Sequence, residues 1–297
     1  MIRVVTRHLP LTIVASGLFC LLLIPVAAQE TPGPGRGAQG RGGGGGGTPG
    51  PGRGRGAAAG PTKPTPRLSD GHVNLGAPAG GSGFWGGGGS IVGKRGSSLP
   101  TNPEVGEVPF QPWAKALYEV RQKVGDKDDP HARCLPPGGP RQFQTPNGFE
   151  FIEQPDRKRI TIIFGGGPRS WRFIYLDGRP LPSLDDLDLI PTYFGYSTGK
   201  WMGDTLVVES TGYNEKFWFH RGGLPHTDAL HLTERFSRPD FDTLKYEVTV
   251  DDPKAYTRPW TGGFTVPWTY TNWDGSPGGE MHEYLCQDNE RDYSKLR

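Results

Sequence analysis

A mainly β fold is predicted: an antiparallel up-and-down barrel, or a sandwich, of 8–9 strands behind one short N-terminal helix. Three observations predict it. From residue 149 onward, apolar residues recur with a period of two. Turn pairs such as Pro155-Asp156, Asp177-Gly178, Gly203-Asp204 and Pro239-Asp240 punctuate that alternation. Helices and strands do not alternate along the chain, which disfavours doubly wound and TIM-type sheets.

The helix is expected over 111–124. Pro112 suits its first turn and Gly125 its end. Trp113, Ala116, Leu117, Val120 and Val124 make one apolar face at three- and four-residue spacing. Residues 134–146, rich in Pro and Gly, read as an ordered loop. Strands follow at Phe149–Ile152, Ile160–Phe164 and Trp171–Tyr175, with Asp177-Gly178 as a hairpin signal. A Leu/Asp-rich loop leads to Tyr193–Trp201 and Thr205–Glu209. Further strands are expected at 229–237, 242–250, 264–271 and 280–286. Short connections favour a meander over Greek keys.

Composition divides the chain. Of 297 residues, 47 are Gly and 30 are Pro, and all 8 Trp lie beyond residue 84. Residues 1–28 have the form of a secretory signal: Arg3 and Arg7, an apolar run from Leu11, then Val26-Ala27-Ala28. Residues 29–67 form a Gly/Pro/Arg-rich linker that cannot bury enough apolar surface to order itself. Residues 68–110 read as an extended arm, mostly coil, and 111–297 as a single β-rich domain. Of 33 basic and 31 acidic residues, eight basic and one acidic lie before residue 68, so the remainder is net −5. That balance gives no charge argument for nucleic acid. The basic linker is suited to contact with an anionic envelope surface. Cys134 and Cys286 remain after a cut at residue 28, and one disulfide is the natural pairing of two exported thiols. Two separate buried thiols are the alternative.

Candidate chemistry is sparse. Gly195-Tyr196-Ser197-Thr198-Gly199 matches G-x-S-x-G, but hairpin sequence follows where a nucleophile elbow needs a helix. The richest polar cluster is His220, Arg221, His226, Asp228, His231, Glu234 and Arg235. On a strand, His231 and Arg235 share one face and Glu234 the other, which separates the members of an apparent metal spacing. No metal site or organic cofactor is assigned. An acid–base site would use His226 or His231 as base and Arg235 to hold developing charge. Trp201, Trp218, Trp260 and Trp268 either line a hollow barrel or fill its core.

Several runs carry a resemblance. They are Asp129-Pro130, Cys134-Leu135-Pro136-Pro137-Gly138, Gly199-Lys200-Trp201-Met202-Gly203-Asp204-Thr205-Leu206-Val207-Val208 and Glu283-Tyr284-Leu285-Cys286. Together they resemble a family of secreted, functionally uncharacterised bacterial proteins, and the resemblance implies a bacterial, envelope-associated protein. A more distant likeness to lipocalin-type barrels rests on strand count. The expected function is therefore that of an exported, periplasmic or extracellular barrel that binds a small apolar or aromatic ligand, or an envelope partner. The rivals are a cofactor-independent enzyme using His226, His231 and Arg235, and a structural envelope component.

Overall fold

The computed structural model describes residues 63–167, 170–185, 189–271, 276–282, 284 and 286. The expected signal and most of the linker lie outside these residues. Nine strands form a closed barrel in chain order. They are β1 (Phe84–Trp85), β2 (Phe149–Gln154), β3 (Arg159–Phe164), β4 (Trp171–Tyr175), β5 (Tyr196–Met202), β6 (Thr205–Thr211), β7 (His231–Asp240), β8 (Thr243–Asp251) and β9 (Trp260–Thr269). Among the described residues one α-helix, α1 (Pro112–Val124), precedes β2.

The ring closes differently from expectation. The described residues within 280–286 carry no strand. The closing strand comes from the arm: Trp85 pairs with Phe149 of β2 on one side and Trp268 of β9 on the other. The arm is therefore part of the barrel, although it is mostly coil. Its Val73, Leu75, Trp85 and Ile91 are fully buried in the core. It runs so close to β9 that a Cβ on Gly262 would sit 1.9 Å from the Ile91 carbonyl oxygen, so only glycine fits there.

One junction is not antiparallel. β4 meets β5 in parallel orientation through a single register pair, Tyr175 and Thr198. Strand directions can alternate around a closed ring only when the number of strands is even, so a ring of nine must contain a parallel neighbour pair. The expected hairpin at Asp177-Gly178 does not form. The Asp177 carboxylate accepts from the Arg179 backbone and guanidinium instead. Pro180 and Pro182 then follow without the N–H groups a returning ladder needs.

The barrel is filled. Phe149, Phe151, Ile160, Ile162, Leu206, Val208, Phe236, Tyr246, Val248, Phe264 and Val266 are buried along its strands. Phe143, from the 3-10 segment Gly139–Gln144, packs among Phe149, Phe164, Phe236 and Tyr246 at ring separations of 4.9–5.5 Å. Cys134 and Cys286 are bonded, tying positions 152 apart with Cα atoms separated by 5.6 Å.

α1 is turned from its expected orientation. It buries Ala114 and Tyr118, while Trp113, Val120 and Val124 are exposed. Two contacts set this rotation: Tyr118 stacks on Phe110, and Arg121 lies over the Trp218 ring while donating to the Gly223 carbonyl. Both outweigh the aliphatic stripe because Tyr and Arg bring apolar bodies and polar tips that are satisfied together. Phe143→Ala, which would leave a ring-sized void in this filled interior, is expected to lower unfolding stability by about 3–5 kcal/mol in urea titrations.

Candidate functional site

The parallel seam positions the principal site. Because β4 and β5 share one register pair, Trp171–Ile174 lack a ladder on that side, and the two strands splay. Beneath the gap lies a buried polar network. The Arg172 guanidinium donates from Nε to Ser197 Oγ of β5 at 2.9 Å and from Nη2 to Ser210 Oγ of β6 at 3.3 Å. It also donates to both carboxylate oxygens of Glu234 on β7, one of them at 3.0 Å. Tyr246 of β8 donates to Glu234 at 2.9 Å, and Tyr213 shares a 2.6 Å hydrogen bond with Ser210. One guanidinium thus reaches three successive strands beyond the gap. Its charge is kept despite burial, which acts to lower its pKa, because Glu234 pushes it further in the other direction. Burial raises the Tyr246 and Tyr213 phenols, so both stay protonated.

Above this network the gap opens as a slot of about 410 Å³. Its walls are aromatic: Trp171, Phe173, Tyr175, Phe194 and Tyr196. Trp171 and Tyr196 are 54% and 42% exposed, an unusual placement for such large rings. The floor is polar, with Ser170, Arg172 and Ser197. Ser170 is 7% exposed, and its hydroxyl has no hydrogen-bond partner among the described residues. Gly195 immediately precedes β5 at φ +63°, and a Cβ there would lie 2.5 Å from the Thr211 carbonyl oxygen. A Cβ on Gly199 would lie 2.7 Å from Ile174. The glycines of G-x-S-x-G thus relieve crowding, and Ser197 is 1% exposed and bound to Arg172.

The structure does not bring the predicted acid–base residues together. His226 is buried, and its two ring nitrogens face the Phe217 and Thr227 carbonyls at 3.0 and 3.3 Å. His231 begins β7, and Arg235 is exposed on the outer face of that strand, opposite Glu247 of β8. No hydrogen bond joins any two of the three. The physical reason is the strand period: the face carrying His231 and Arg235 points away from the core that holds His226. His282 lines a separate surface pocket beside Phe84. Among the described residues no group of three or more His, Cys, Asp or Glu could hold a metal ion.

The four tryptophans are dispersed through the core rather than gathered around one cavity. Trp201 packs on the His72 ring at 4.8 Å, and Trp218 lies under Arg121. Trp260 packs against Phe219 and Tyr256, and Trp268 meets Trp85 edge to face at 4.7 Å. The slot residues were visible in the sequence only as a strand and as the cluster Tyr193-Phe194-Gly195-Tyr196. The signal that could have found them is the outward register of Trp171, Phe173 and Tyr175, three aromatics on one face of one strand.

A second polar group forms where the arm meets the loop before β7. Ser90 Oγ lies 2.7 Å from His220 Nε2, and Asp129 and Arg141 form a buried bidentate pair at 2.8 and 2.5 Å. Burial, with the nearby charge of Arg141, pulls the His220 pKa from 6.5 down to about 4. No family model, curated protein or solved structure matches the chain.

The titration has a defined sign. His220 is neutral in the folded protein, whereas the unfolded chain takes up its proton as pH falls below about 6.5. Stability is therefore full above that pH and declines until the folded state protonates near pH 4. The loss from this residue is of order 3 kcal/mol. Denaturant titrations from pH 7.5 to pH 4 should show the decline, and His220→Gln should flatten that part of it.

Proposed function

We propose that this is an exported binding protein whose ligand is a small aromatic or apolar molecule seated in the β4–β5 slot, outside the barrel. The observation that carries the reading is an open aromatic slot over a buried Ser170 hydroxyl that has no hydrogen-bond partner among the described residues. Exposed rings around a concave surface supply stacking area, and one placed polar group fixes orientation. A barrel interior already occupied by Phe143 and its neighbours leaves the slot as the better seat. The Ser170 hydroxyl favours an aromatic ring bearing a hydroxyl or carbonyl group, because an unpaired buried hydroxyl gains most from a polar partner.

Export is supported by the leader-like first 28 residues and by the Cys134–Cys286 bond, which persists in oxidising compartments. The basic linker ahead of the barrel would let the domain stand off an anionic envelope surface. This reading agrees with the resemblance to secreted bacterial proteins.

Calorimetric titration of the mature chain against a panel of phenols, indoles and simple aromatic ketones tests the function. At least one class should bind saturably, and Trp171→Ala should weaken it about tenfold. Since Trp171 faces outward, its removal should leave thermal unfolding nearly unchanged. If no member binds, or if Trp171→Ala leaves the affinity intact, the slot is not the ligand site.

A further inference from the structure

The cleft that contains Ser90 and His220 has a volume of about 410 Å³, and its hydrogen bonding is one-sided. The Gly222 N–H donates to His220 Nδ1 at 2.9 Å, so Nδ1 carries the lone pair and Nε2 carries the proton. That Nε2–H donates to Ser90 Oγ at 2.7 Å. The Val92 N–H donates to the same oxygen at 3.1 Å. Both lone pairs of the hydroxyl are thus occupied, and its own proton is left to give. The same tautomer argues against a serine nucleophile, since the ring nitrogen facing Ser90 already bears a proton.

The other lining groups lean the same way. Gln144 Nε2 is buried and has no partner among the described residues. Arg141 spends two N–H groups on Asp129 and retains three. Acceptors, by contrast, are largely committed. Asp129 takes both Arg141 bonds and the His131 N–H. Asp126 at the rim is paired with Arg221 at 3.1 Å. The cleft therefore offers a hydroxyl, a carboxamide and a guanidinium as donors, with few acceptors in return.

We infer that this cleft binds a small carboxylate-bearing molecule, held by Ser90, Gln144 and Arg141. A carboxylate supplies several acceptor positions on two oxygens and strengthens each donated bond by its charge. The site is separate from the aromatic slot and does not depend on it.

The test uses the mature chain and isothermal titration with the non-aromatic carboxylates acetate and succinate, with acetamide and inorganic phosphate as comparisons. At least one carboxylate should bind saturably and more tightly than its amide or phosphate. Gln144→Leu, which breaks no hydrogen bond of the folded protein, should weaken it by about tenfold, and Ser90→Ala by a similar factor. Trp171→Ala should leave carboxylate binding unchanged, so failure of either site can be told from failure of the other. Absence of saturable binding would overturn the proposal. So would an amide or phosphate bound as tightly, or affinity unaffected by both substitutions.

Discussion

A closed ring of nine strands cannot be antiparallel throughout, and the rest of this structure depends on how that constraint is met. The unavoidable parallel junction falls between β4 and β5, where a single register pair, Tyr175 with Thr198, replaces a ladder. Elsewhere the neighbours are joined by antiparallel pairing, as in the long β7–β8 and β8–β9 registers. At the seam the backbone supplies little, so a side chain bridges it. Arg172 leaves β4, crosses the gap to Ser197 of β5, and continues to Ser210 and Glu234. Such a pair is not a cheap source of stability, because desolvating two charges offsets much of their attraction. Its value here is geometric: it fixes β4 against β5, which it otherwise meets at one register pair, and against β6 and β7 beyond.

The same constraint creates the slot. Fully laddered strands leave no room between them, whereas splayed strands expose their outer rings at an angle and uncover the polar floor. A filled core and an open seam go together in this molecule. Phe143 and its aromatic neighbours occupy the interior, so the open concave surfaces lie at the seam on the outside of the sheet and in the cleft beside the arm. In that second cleft a backbone N–H sets the His220 tautomer, which in turn sets the direction of the Ser90 hydroxyl. Local backbone geometry thus decides that a Ser–His contact serves as a donor and not as a nucleophilic pair.

Much of the fold was legible because period-two alternation survives in every long strand. Leu232, Glu234 and Phe236 point inward and His231, Thr233 and Arg235 outward, as the pattern on β7 implies. Cys134 and Cys286 could be paired because only these two cysteines lie beyond residue 28. The closing strand was hidden because Phe84-Trp85 is two residues long, and no periodicity exists over so short a run. The helix face was not legible because Arg121 is anchored by Trp218 and Gly223, which lie far away in sequence, and Tyr118 stacks on Phe110, which lies ahead of the helix and outside its period. The candidate sites were least legible. Ser90 lies 130 positions from His220 and Arg172 62 positions from Glu234, so only the closed ring brings each pair together.

The central claim is that the Arg172–Glu234 pair holds the parallel seam. It is tested most directly by the unfolding free energies of Arg172→Met, Glu234→Leu and the double variant. Each single change should cost about 3–5 kcal/mol by stranding a buried charge, while the double variant should cost clearly less than the two together. Single changes that cost under about 1 kcal/mol, or effects that simply add, would contradict the account.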